Sequence, residues 1–75
     1  MGIMQANGKL IRRMREEQGF TLRPFAEKSG THFAHLSRIE NGTRRPRPQT
    51  LKKIADALGV PITDIASHDD SVETP

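Results

Sequence analysis

Arg38 and the run Arg44-Arg45-Pro46-Arg47 are the side chains of this sequence best suited to chemistry, and that chemistry is binding. A guanidinium is a permanently charged planar fork of donors, matched to phosphate oxygens and to the acceptor edge of guanine. All 12 Lys and Arg lie within residues 1–66 beside 6 carboxylates, whereas Asp69, Asp70 and Glu73 make the tail acidic. A positive body favours a polyanionic partner, although charge alone also fits a merely soluble basic surface. Groupings that could catalyse do not assemble. His32 and His35 are three apart, but His68 is the only other histidine and no carboxylate pairing completes a metal site. Glu16-Glu17 and Asp69-Asp70 are neighbours in sequence and do not converge as a dyad. Ser29, Ser37 and Ser67 lack the strand-to-turn setting that activates a nucleophile. The expectation is a protein that is not an enzyme and carries neither metal nor cofactor.

The elements that must hold these arginines are small. With 75 residues and 33% hydrophobic content there is room for one domain, near the low end of sizes that fold without a staple. Cysteine is absent, so the core must come from aliphatic side chains with Phe20, Phe25 and Phe33. No apolar run approaches the roughly 20 residues of a membrane span, and Met1 to Lys9 lacks the apolar centre of a signal peptide, so a cytoplasmic protein is expected.

Apolar residues recur at spacings of three and four, and no strict alternation lasts long enough for a strand, which predicts an all-α domain of about five helices. Leu10, Ile11 and Met14 stripe a first helix from about Asn7 to Gln18, ended by Gly19. Thr21 is a good N-cap for a second helix to Ser29, with Pro24 in its first turn. A third runs from Phe33 to Glu40, with Leu36 and Ile39 facing inward and Asn41-Gly42 as a stop. Thr43 to Arg47 reads as an exposed loop with nothing to bury. Pro48 opens a fourth helix to Leu58, striped by Leu51, Ile54, Ala55 and Leu58. Val60 to Ala66 is compatible with one or two turns of a fifth. Residues 1–7 are expected to be flexible, 8–66 to form the domain, and 67–75 to be a disordered acidic tail. The predicted core is Ile11, Met14, Phe20, Phe25, Ala26, Leu36, Ile39, Leu51, Ile54, Ala55 and Leu58.

Two short helices joined by a glycine-containing turn make a helix-turn-helix, whose second member can enter the major groove of DNA. The wider string sharpens this: Ile11-x-x-Met14-Arg15-Glu16-Glu17-Gln18-Gly19-Phe20-Thr21, Phe25-Ala26-x-x-Ser29-Gly30, Leu36-Ser37-Arg38-Ile39-Glu40-Asn41-Gly42, and Thr50-Leu51-x-x-Ile54-Ala55-x-Ala57-Leu58-Gly59-Val60. Over residues 8–66 it resembles the lambda-repressor-like family of phage repressors, Cro proteins and regulators of the xenobiotic-response-element type. The resemblance implies that the third helix reads bases through His32, Phe33, Ala34 and Arg38, with Ser37 nearby. Arg38 suits guanine O6 and N7; Phe33 and Ala34 offer apolar contact to a thymine methyl. Leu22 and Phe33 stand where many members carry glutamine, so no operator sequence transfers, and Phe33 has the alternative of turning into the core.

Phosphate contacts are expected from the backbone near Thr21 and Leu22 at the helix-two N-terminus, extended by Asn41, Thr43 and Arg44. Arg45-Pro46-Arg47 is similar to a motif that places an arginine in the minor groove, a role carried to Arg47; the alternative is a basic loop attracting any polyanion. Arg47 also replaces the usual N-cap serine, so helix four is expected to lose a cap. Arg15 and Glu40 resemble the family's buried ion pair, which fixes the recognition helix's angle. The function so implied is a sequence-specific transcriptional regulator, a repressor, binding double-stranded DNA as a weak homodimer assembled on a pseudo-palindromic operator. The competing reading is a protein-interaction module such as an antitoxin or anti-regulator, towards which the acidic tail leans.

Overall fold

The computed structural model describes residues 4–68, in which four α-helices are closed by one pair of short strands. The order is β1 (Met4–Ala6), α1 (Gly8–Glu17), α2 (Leu22–Ser29), α3 (Phe33–Asn41), α4 (Pro48–Leu58), a 3-10 turn (Ile62–Asp64) and β2 (Ala66–His68). Asn7 caps α1, its Oδ1 accepting the Leu10 N–H at 3.1 Å. Gly30 and Gly42 end α2 and α3 with φ of 68° and 79°, a left-handed conformation that glycine adopts without a Cβ penalty. Both ends close alike: the Thr31 N–H donates to the Ala26 carbonyl and the Thr43 N–H to the Arg38 carbonyl, each at 2.9 Å. Pro48 opens α4 behind Arg47, whose side chain makes no capping bond, as its replacement of a serine implies.

The helices bury Ile11, Phe25, Ala26, Leu36, Ile39, Leu51, Ile54, Ala55, Ala57, Leu58 and Ile65 in one cluster. Met14 and Phe20, expected inside, are only partly buried and pack against it, the Phe20 ring meeting Phe25 edge-on at 5.7 Å. Ala57 and Ile65 join the core unexpectedly. Gln18 at the end of α1 donates from Nε2 to the Leu58 carbonyl at 2.9 Å, covering one of the free carbonyls at the C-terminus of α4.

Three expectations are corrected. Among the described residues there are four α-helices and not five: beyond Pro61 the chain completes only a single 3-10 turn, because Ile65 must then enter the core and its carbonyl accepts the Asn7 N–H at 2.8 Å. The all-α reading missed the antiparallel pair β1–β2, in register Met4 with His68 and Ala6 with Ala66. Strands of three residues are too short to show alternation, and their pairing is entirely non-local. Met4–Ala6 and Ser67–His68, expected in the flexible lead and the acidic tail, take part in this pairing; residues 1–3 and 69–75 lie outside the described residues. Finally, the loop after α3 does bury something: Pro46 is buried while Thr43, Arg44, Arg45 and Arg47 around it are exposed.

Candidate nucleic-acid interface

α2 and α3 pack on each other across the Gly30 turn, and α3 divides its side chains by face. Leu36, Ile39 and Glu40 are buried, whereas His32 and Arg38 are exposed and Phe33, Ala34 and Ser37 are half-buried. The five residues expected to read bases thus keep some exposure along one short helix. Thr21 is exposed and Leu22 half-buried at the start of α2, where the Thr21 side chain makes no cap and leaves the first-turn amides to other acceptors. Asn41, the last residue of α3, and Thr43, Arg44, Arg45 and Arg47 beyond it form an exposed polar rim. The Thr43 hydroxyl donates to the Arg38 carbonyl at 3.3 Å, tying the loop back to the helix end.

The backing of this surface is ionic. Arg15 donates from Nε to Glu40 Oε2 at 2.8 Å and from Nη2 to Oε1 at 3.0 Å, while Nη1 reaches the Phe20 carbonyl at 2.8 Å. Both side chains are buried. The hydrogen bond to Glu40 holds the Arg15 pKa above its ordinary value against the opposing effect of burial. Three segments, α1, the turn before α2 and the end of α3, therefore share one guanidinium.

Two members of the expected set have further duties. His32 is the N-cap of α3, its Nδ1 accepting the Ala34 N–H at 3.2 Å. Phe33 packs partly against the core and stacks on the His32 ring at 5.1 Å. The guanidinium of Arg23 lies over the Phe33 ring, 4.2 Å from its centre. Both alternatives weighed for Phe33 are thus partly met: it touches the core and keeps an exposed part.

His35, set aside as a metal ligand, sits between these positions with its Nε2 buried and without a hydrogen-bond partner. Burial lowers its pKa, helped by Arg44, Arg38 and His32. Among the described residues no three His, Cys, Asp or Glu side chains gather around a metal position. Arg23 was missed, and His35 was considered only as a metal ligand, because neither lies on an apolar stripe; only an aromatic at the start of α3 beside a cation in the first turn of α2 signals the first. Gly8 was missed too. A Cβ there would lie 2.6 Å from the Glu40 carbonyl oxygen and against that of Ile39, so α1 begins directly on the backbone of α3.

Known proteins share this fold. The repressor RghR of Bacillus subtilis is 46% identical over 59 residues, 77% of this chain and 44% of that protein. SinR of Bacillus subtilis, solved in complex with DNA, superposes with a TM-score of 0.70 at 36% identity over 73% of this chain and 89% of that one. A complex of SinR with SinI aligns with a TM-score of 0.74 at 34% identity, over 77% of this chain and 57% of that one. This chain spans less than half the length of the curated relatives it matches. The family model described as Helix-turn-helix matches residues 11–65, and with the capped α2–α3 pair and its buried Arg15–Glu40 brace this chain belongs to the lambda-repressor-like helix-turn-helix family.

Proposed function

We propose that this chain is the DNA-binding unit of a transcriptional repressor, acting in the cytoplasm by occupying an operator. The observation that carries the reading is the two-faced α3, whose inner side is locked by Leu36, Ile39 and the Glu40 ion pair, while His32 and Arg38 are exposed and Phe33, Ala34 and Ser37 keep part of their surface open. SinR, solved on DNA, supports it. In this reading α3 enters the major groove and Arg38 takes guanine O6 and N7, while Phe33 and Ala34 supply apolar contact to thymine. The amides at Thr21 and Leu22, with Asn41, Thr43, Arg44 and Arg45, grip phosphates, and Arg47 enters a narrow minor groove. Residues 8–66 carry the binding, two weakly associating copies sitting about one helical turn apart, 10 to 10.5 bp, on a pseudo-palindrome.

The SinR–SinI complex supports one further reading, that a protein partner acts on the regulator of which this chain is part. Selection of bound sequences from a random DNA pool, followed by footprinting at two salt concentrations, tests the main reading. The expected result is a two-half-site footprint with affinity falling steeply in salt. No enriched sequence and salt-insensitive binding would reject it in favour of a protein-interaction module.

A further inference from the structure

We propose that Arg23 is a specificity-determining positioning residue, which fixes the ring of Phe33 at the reading face of α3. This rests on the operator-reading function above. Phe33 is an apolar ring on a surface where an aromatic is costly to leave free, and it is held from two sides of the turn. From α2, the Arg23 guanidinium lies 4.2 Å over the ring centre, within the range of a cation–π contact. From its own helix, His32 stacks on it with ring planes 24° apart, and His32 is itself fixed because its Nδ1 caps α3. The ring also packs partly against the core, and Arg23 is the contact that reaches it from α2.

The carboxylate nearest in sequence on α2, Glu27, stands on the same corner but forms no ion pair with Arg23 among the described residues, where Arg12–Glu16, Arg15–Glu40 and Lys52–Asp56 are the pairs made. The guanidinium is thus given to the ring. An apolar reader gains discrimination only from a fixed position, since a ring free to tilt meets a thymine methyl and its absence almost equally. Arg23 acts through Phe33 and touches no base.

The test uses the full chain and the operator selected by it. Binding is measured to every single-base-pair variant for the unaltered chain, Arg23→Ala, Arg23→Lys, Phe33→Ala and the Arg23→Ala/Phe33→Ala pair. Arg23→Ala is expected to lower discrimination about two- to fivefold, the size of an exposed cation–π contact, at the same base pair that Phe33→Ala affects. Arg23→Lys should keep most of it, the paired variant should be no worse than Phe33→Ala, and the salt slope should not change. In the free protein, the Arg23 side-chain protons should resonate upfield and lose that ring-current shift in Phe33→Ala. A uniform loss on all sequences with a salt slope smaller by about one would make Arg23 a phosphate contact and overturn the proposal. So would discrimination lost at a different base pair. Absence of any base preference in the unaltered chain would reject the operator-reading function and this proposal with it, and that outcome is seen before any variant is read.

Discussion

Arg15 and Glu40 meet through both oxygens of the carboxylate, 25 residues apart in sequence, and the guanidinium still has a nitrogen left for the Phe20 carbonyl. The pair joins the first helix to the end of the helix that faces outward. Removing two charges from water offsets much of their attraction, so we propose that the value of the pair is orientation.

Breaking one side should therefore cost far more than replacing both. Glu40→Ala leaves a buried, unpaired cation and should lose about 3 to 5 kcal/mol in denaturant unfolding. Arg15→Met with Glu40→Leu should stay close to the parent in stability yet bind its operator more weakly, since the angle of α3 is no longer fixed. The arginine's raised pKa places its part of this stability fully below the unfolded-state value, lost only in strongly alkaline solution, so the cost of Glu40→Ala should be flat from pH 6 to 9. A large loss in the double replacement would show the pair to be a stabiliser and not an aiming device.

Gly8→Ala should destabilise the protein although alanine is the better helix former by about 1 kcal/mol. The new Cβ meets backbone oxygens of Ile39 and Glu40, which cannot step aside as a side chain would. Overpacking of this kind typically costs about 1 to 3 kcal/mol. An unchanged or higher melting temperature would show that α1 does not approach α3 so closely.

Leu51→Ala removes a fully buried side chain from the centre of the α4 stripe and should cost about 2 to 5 kcal/mol. In a domain whose total is about 5 kcal/mol, that largely unfolds it. A melting curve equal to the parent's would mean that α4 presents another face.

What could be read from residue order, and what could not, divides by range. The four helices, their glycine ends and most of the core follow from local spacing and capping, which is why Pro48 and Leu58 bound α4 where expected. The strand pair, Ile65 in the core and the Gly8 approach are contacts between distant segments, which helical periodicity does not encode. Arg15–Glu40 was visible only through resemblance to other proteins. His35 carries no sequence signal of this role and Arg23 only the pairing of a cation in α2 with an aromatic opening α3, since one is defined by an unpartnered buried nitrogen and the other by a ring on the next helix.

His35 should give the protein a pH response on the acid side. Its folded-state pKa lies below the ordinary histidine value, first through burial and then through Arg44, Arg38 and His32, so the unfolded chain takes up the proton more readily. Stability is then fully present above the ordinary value of 6.5 and is lost as pH falls through the lower folded-state pKa. His35→Gln should flatten unfolding free energy between pH 7 and 5 relative to the parent. If the two slopes coincide, another group is responsible.

Arg38 and Arg44 are both exposed arginines, six residues apart, but they leave the fold at different places. Arg38 belongs to α3, five residues beyond Phe33 on the helix proposed to enter the groove, where a guanidinium can reach a base edge. Arg44 lies past Gly42 in the loop, where in the proposed docking the acceptors within reach are phosphates. Their substitutions should therefore fail differently. Arg38→Ala should cost about 1 to 3 kcal/mol on the selected operator and flatten the preference at one base pair, because the contact it loses depends on sequence. Arg44→Ala should weaken operator and random DNA alike and reduce the salt slope by about one, because one fewer phosphate is neutralised and one fewer counterion released. The Arg38 carbonyl also holds Thr43 through two bonds, from its amide and its hydroxyl, but both are accepted by a main-chain oxygen and survive the substitution, so a change at Arg38 does not release the loop that carries Arg44. The two effects are thus separable in single variants. If Arg38→Ala lowered all affinities equally and left base preference intact, Arg38 would be a phosphate clamp, and the groove-facing side of α3 would have to be reassigned.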